Sequence, residues 1–125
     1  MRKAEIRQIL STLDLAHPLG RRNRLLLLFL LHTGIRPDEC VNLTIHQVAF
    51  QGHPRGSLRL PSAVRNGSRS QVVMLHPAAQ ECIRQILAFH VANGFSVAPS
   101  APLFQDFRRR SISVNSITAY RKKAG

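Results

Sequence analysis

One arginine in the stretch Thr33-Gly34-Ile35-Arg36-Pro37-Asp38-Glu39 stands where its chemistry could be used. A guanidinium presents a fixed fork of donors that can grip two oxygens of an anion such as phosphate. That role is electrostatic, because a group with a pKa above about 12 holds a phosphate far more readily than it gives up a proton. The neighbouring residues supply rigidity. Gly34 can take the left-handed conformation that closes a helix, and Pro37 suits the first turn of the next one, where a missing N–H costs nothing. Asp38 and Glu39 fall in that first turn, at the positive end of the helix dipole. Arg36 is therefore expected on a fixed corner between two helices. A plainer reading stands beside this one, in which Arg36 only pairs with Asp38 or Glu39 and caps the junction.

The charge balance says what such an arginine could meet. Eighteen Lys and Arg against six Asp and Glu give a formal charge of +12 on 125 residues, which points to a polyanion, with nucleic acid ahead of a membrane surface. The basic residues are spread along the chain, at Arg21, Arg22 and Arg24, at Arg55, Arg59, Arg65 and Arg69, at Arg108 to Arg110, and at Arg121 to Lys123. Several elements are thus expected to share one positive face. All but three of the eighteen are arginine, which favours bidentate phosphate contacts. Cys40 and Cys82 are too few for a disulfide framework or a metal site, and both read as reduced thiols in or near the core. The histidines show no metal-ligand spacing, and no cofactor is implied. Leu25 to Leu31 is far short of the roughly twenty residues that span a bilayer, so a cytoplasmic protein with no membrane partner is expected.

The length allows a single domain with one core. Ile6, Ile9, Leu10 and Leu13 keep helical spacing and predict an amphipathic helix over 3–14, broken by His17-Pro18-Leu19-Gly20. A nearly all-apolar helix over 21–33 reads as the central buried one, and a short helix follows from Pro37 to about Leu43. From Val48 to Leu75 the pattern becomes strand-like, with Asn66-Gly67 as a two-residue hairpin turn. Pairing outward from that turn sets Leu60 against Val73 and Leu58 against Leu75. A helix over 77–92, ended by Asn93-Gly94, leads to a Pro-, Ser- and Arg-rich connection over 95–111, and Ser113 caps a last helix bearing Val114, Ile117 and Tyr120. The fold class is α+β, mainly helical, with helices around a small antiparallel sheet.

This order of elements, together with LLLLFLLHTGIRPDECVNL, resembles the catalytic domain of tyrosine recombinases, the phage integrase family. Its first signature is an apolar helix, Thr-Gly-apolar-Arg, two variable residues and Glu, then Leu. A sheet with a basic turn, a helix, a Pro-Leu-Phe segment and another helix come next, here matched by SLRLPSAVRNGSRSQVVML, HPAAQECIRQILAFH, APLF and SVNSITAYRKKAG. The resemblance implies that Arg36 clamps the scissile phosphate and that Glu39 orients and buffers it. It implies duplex DNA as partner, with other recombinase protomers as further partners, and Arg59, Arg65, Arg69, Arg109 and Lys122 as DNA contacts.

The departures matter as much. The family places a lysine in the sheet turn as general acid on the departing 5′ oxygen, whereas lysine occurs here only at positions 3, 122 and 123. Arg65 stands at that position as a DNA contact first and a catalytic substitute second, and a plain solvated hairpin arginine is the other reading. The family's His-x-x-Arg box and nucleophilic tyrosine have no counterpart in these residues. His32 reads as a core or junction residue, and His46, His53 and His76 as strand-end or loop residues. Tyr120, the single tyrosine, precedes the place of the missing box and keeps core spacing with Ile117. The chain thus reads as the front part of a recombinase catalytic domain, incomplete at its C-terminus and without an amino-terminal clamping domain. Two other readings stay open: a remnant that binds DNA without chemistry and modulates an intact recombinase, and a basic RNA-binding protein.

Overall fold

The computed structural model describes residues 2–61, 71–106, 108 and 110–112. Five helices and four short strands occur among them, in an α+β arrangement that is mainly helical. Helix α1 (Lys3–Leu10) buries Ile6 and Ile9. It is shorter than the periodicity predicts, because the hydroxyls of Ser11 and Thr12 donate to the carbonyls of Gln8 and Ile9 and tie up the last turn. Helix α2 (Pro18–Thr33) starts earlier than expected. The residues read as a break are its N-terminus: His17 Nδ1 accepts from Leu19 N at 3.1 Å, and Pro18 occupies the first turn.

Gly34 closes α2 at φ 73°, as its sequence context predicts. Helix α3 (Pro37–Cys40) is shorter than expected, and the residues after it form an additional helical turn, α4 (Ile45–Val48), which the sequence reading took for loop and strand. Gln47 Oε1 accepts from Thr44 N at 2.8 Å and fixes the entry to α4.

Among the described residues the strand region holds two antiparallel pairs, where the sequence predicts a single sheet. Strands β1 (Ala49–Phe50) and β2 (His53–Pro54) form a tight hairpin through Gln51 and Gly52, both at positive φ (52° and 82°), the requirement of a type I′ turn. Strands β3 (Ser57–Leu60) and β4 (Gln71–Met74) pair with Leu58 opposite Val73 and Leu60 opposite Gln71, and Leu75 N donates to Gly56 O. The predicted register is off by two. A shift of two leaves every side chain on its own face, so the apolar pattern that buries Leu58 and Leu60 cannot detect it. The expected Asn66-Gly67 turn lies outside the described residues, as does the helix predicted from Ser113 with Tyr120.

Helix α5 (Pro77–Asn93) ends on Gly94 at φ 74°, again as predicted. It packs along α2, and the Cys82 thiol reaches the Leu25 carbonyl at 3.5 Å. Both cysteines are free and buried, and burial pushes the Cys82 thiol up to about 12 and Cys40 higher still. His32 is exposed on the last turn of α2, so the core reading of it is corrected, while its place beside the junction holds. His90 is the buried histidine. Its Nε2 donates to Leu103 O at 2.7 Å, its Nδ1 finds no partner, and burial lowers its pKa against the opposing pull of that carbonyl.

The segment after α5 reads as a polar connection but packs as a strap. Phe95, Ala101, Leu103, Phe104, Gln105 and Ile112 are all buried. Backbone bonds from Ile45 N to Ala101 O and from Leu103 N to Leu43 O, both 2.9 Å, lay it beside the α3–α4 segment.

Candidate nucleic-acid interface

The corner that presents Arg36 is built by its neighbours. Buried Ile35 anchors the backbone between the left-handed Gly34 and the first turn of α3. Arg36 N donates to Glu39 Oε1 at 2.9 Å, one half of a capping box, and Asn42 Nδ2 donates to Asp38 O at 2.9 Å. The Arg36 guanidinium reaches Asp38 Oδ2 at 3.0 Å and comes within 3.9 Å of Glu39 Oε1. The pairing foreseen in the plainer reading is therefore present, and the side chain is 64% exposed. Exposed ion pairs of this kind contribute about 0–1 kcal/mol, so a phosphate can replace a carboxylate at little cost. Glu39 holds the backbone more firmly than it holds the guanidinium.

Arg59 lies on the solvent face of β3, opposite Val72. A cleft of about 520 Å³ runs beside it, lined by His46, Gln47, Arg55, Gly56, Ser57 and Arg59. Arg55 is fixed there: its Nε donates to His46 O at 2.8 Å and its guanidinium lies 5.4 Å from the centre of the Phe50 ring. His53 and His76 are exposed at the strand-end and loop positions the sequence suggests, whereas His46, expected at such a position too, is exposed on the helical turn α4. Arg65, Arg69, Arg109 and Lys122 lie outside the described residues.

Of the basic run near the end of the strap, Arg108 and Arg110 are described and exposed. Their backbone is wrapped around Asp106, whose Oδ1 accepts from Arg108 N at 2.8 Å and from Arg110 N at 2.9 Å. The Arg110 amide, ahead of the opposing effect of desolvation, holds the Asp106 carboxyl below its usual range. The sequence reading passed over Asp106. Its signal was available, since an Asp ahead of a polar run readily accepts from backbone two residues on. Arg22 was misplaced: it is a buried residue of α2, not part of the basic surface. Its Nε and Nη2 donate to Asn23 Oδ1 at 3.1 and 2.8 Å, and its Nη1 to Gln105 O at 3.1 Å. Among the described residues no group of three His, Cys, Asp or Glu side chains converges on a point that could hold a metal ion. No helix among them is long and apolar enough to cross a membrane.

Comparison with known proteins accounts for this arrangement. The tyrosine recombinases XerC of Lacticaseibacillus casei (strain BL23) and Lacticaseibacillus paracasei (strain ATCC 334) are each 35% identical over 85 residues, 68% of this chain and 26% of theirs. A crystal structure of XerA recombinase superposes over 100% of this chain and 42% of its own, with a TM-score of 0.64 at 19% identity, a likeness of fold. The chain thus spans roughly a quarter of the length of those XerC relatives. The model of the phage integrase family matches residues 1–125, over the whole order of helices and strands that positions Arg36, and the chain belongs to that family of tyrosine recombinases.

Proposed function

We propose that this chain is the DNA-binding front part of a tyrosine recombinase catalytic domain acting in site-specific recombination and integration. Arg36 is its phosphate clamp, Glu39 sets the geometry of the corner, and Arg65 takes the hairpin position of the family lysine. Arg59, Arg65, Arg69, Arg109 and Lys122 hold the DNA backbone. The observation that carries the reading is the Arg36 corner, where the backbone is fixed by Gly34, Pro37 and Glu39 while the guanidinium faces outward. A fixed fork loses little freedom on gripping a phosphate.

The binding test is direct. Association with duplex DNA is expected to be weak, to show little sequence preference, and to fall steeply with salt as phosphate contacts release counterions. Arg36→Lys keeps the charge and loses the fork, so it should weaken binding and sulfate-induced stabilisation. Arg84→Lys, at an exposed α5 residue paired with Glu81 at 3.3 Å, should change neither. Equal effects of the two, or salt-insensitive binding, would return Arg36 to the general surface charge. Strong preference for single-stranded RNA would favour the RNA-binding reading.

The 125-residue polypeptide by itself is expected to bind without cutting. Strand transfer needs a nucleophile in line with the leaving oxygen, a proton donor for that oxygen and several cations on the other oxygens. These residues contain no His-x-x-Arg and no lysine between Lys3 and Lys122. Incubation with a nicked suicide substrate should leave no covalent protein–DNA adduct on a denaturing gel. An adduct lost in Tyr120→Phe would make the fragment an enzyme in its own right.

A further inference from the structure

Burying a guanidinium is costly unless its donors are satisfied, and an apolar side chain of similar volume could fill the same space on α2. Arg22 is nevertheless only 8% exposed. Its fork spans 83 residues of sequence to reach the main-chain carbonyl of Gln105, while Asn23 Oδ1 takes two further donors and fixes the plane of the group. Gln105 is pinned from its other side as well. Its fully buried side chain donates to Ser96 O at 2.8 Å and Pro102 O at 2.9 Å, and accepts from Ser96 N at 3.1 Å.

The residues after Gln105 give this anchoring a purpose. Asp106 N donates to Arg110 O at 2.7 Å, the Asp106 carboxylate takes the amides of Arg108 and Arg110, and Gln105 bridges to Ser111, whose hydroxyl donates to Val41 O. The turn has a buried root and an exposed cationic tip. We propose that Arg22 is a positioning residue: through the Gln105 carbonyl it fixes the root of this turn, so that Arg108 and Arg110 meet the phosphates of duplex DNA as a preorganised pair. Fixing the root before binding removes the ordering cost that two free arginines would carry into the complex. The inference rests on the DNA-binding reading above and names the element that positions part of that surface.

The experiment measures duplex DNA affinity against salt for the whole chain, by fluorescence anisotropy, in a thermodynamic cycle. One arm is Arg22→Met, with Arg22→Lys as the milder variant in case the first does not fold. The other arm is the pair Arg108→Ala and Arg110→Ala, and the third variant combines both arms. Each phosphate contact contributes about 0.9 to the salt slope, so the double-alanine protein should lose about 1 to 2 units. The Arg22 variants should show a loss of the same kind, smaller for lysine. In the double-alanine background they should then have no further effect on affinity, which a role confined to folding would not produce. Amide exchange at Asp106, Arg110 and Ile112 should quicken in the Arg22 variants while the α5 amides stay protected. A folded Arg22→Lys protein with the full wild-type slope and unchanged exchange overturns the inference, as does an equal loss of affinity in both backgrounds. Wild-type protein that holds no duplex DNA overturns the binding reading and this inference with it, whereas wild-type binding with unaltered variants overturns the inference alone.

Discussion

Gly20→Ala is expected to destabilise the protein by about 3 kcal/mol, lowering Tm by roughly 10 °C. On helix propensity alone the change should help, since glycine inside a helix costs about 1 kcal/mol relative to alanine. Packing reverses the sign. A Cβ on Gly20 would lie 1.8 Å from Asp14 O and 2.7 Å from Asp14 C, and both are backbone atoms that cannot rotate away. The loop between α1 and α2 is held there by His17 N donating to Asp14 O at 3.3 Å and by the Arg21 guanidinium donating to Leu15 O and Ala16 O. To make room, that loop must lift off the start of α2 and give up those bonds. Thermal melts of the two proteins decide the matter, and an unchanged or raised Tm for the alanine variant would show that the close approach does not constrain the fold.

The same glycine illustrates what was legible beforehand. His17-Pro18-Leu19-Gly20 carries strong punctuation, and punctuation reads locally as a break. The structure uses the same residues as a cap, a first turn and a point of backbone contact. Signals that act within a few residues were read correctly: Gly34 and Gly94 close their helices, Pro37 opens α3, and Asp38 and Glu39 sit in its first turn. The Arg36 corner was legible for that reason, down to the alternative of a carboxylate pair.

Features that depend on a distant partner were not legible. The β3–β4 register shifts by two without moving any side chain to the other face, so alternation cannot fix it. The Gln51-Gly52 turn was hidden because glutamine is an unusual residue at positive φ, and Asn66-Gly67 offered the more familiar signal. Arg22 shows the same limit in the candidate interface. Within its basic cluster it resembles Arg21 and Arg24, and its burial draws on Asn23 beside it and on the Gln105 carbonyl 83 residues along the chain, a partner that local pattern cannot show. His90 is hidden in the apolar pattern of α5 for a like reason, since its partner is Leu103 O.

Phe104→Ala tests the most consequential of these long-range features, the packing of the strap. Phe104 is 2% exposed and meets the ring of Phe29, which is 0% exposed, edge to face at 6.0 Å. Truncating a buried phenylalanine costs about 3–5 kcal/mol, and the aromatic pair accounts for about 0.5–1.5 kcal/mol beyond area burial. A fall in Tm of roughly 10–20 °C is therefore expected. The loss should be shared with Phe29: the double variant Phe29→Ala, Phe104→Ala should cost less than the sum of the single changes by about 1 kcal/mol, because each alanine removes the same ring contact. Phe104 lies between Leu103, bonded to His90, and Gln105, bonded to Arg22, and its carbonyl accepts from Ile112 N. Losing its ring should loosen both neighbours and the root of the Arg108–Arg110 turn while α2 and α5 still pack through Cys82 and Leu25. Exchange of the Leu103 and Ile112 amides should consequently quicken more than exchange within α5. If Phe104→Ala instead melts within about 1 kcal/mol of wild type, well below the usual cost of truncating a buried aromatic, the strap is the surface connection that its Pro-, Ser- and Arg-rich composition suggests.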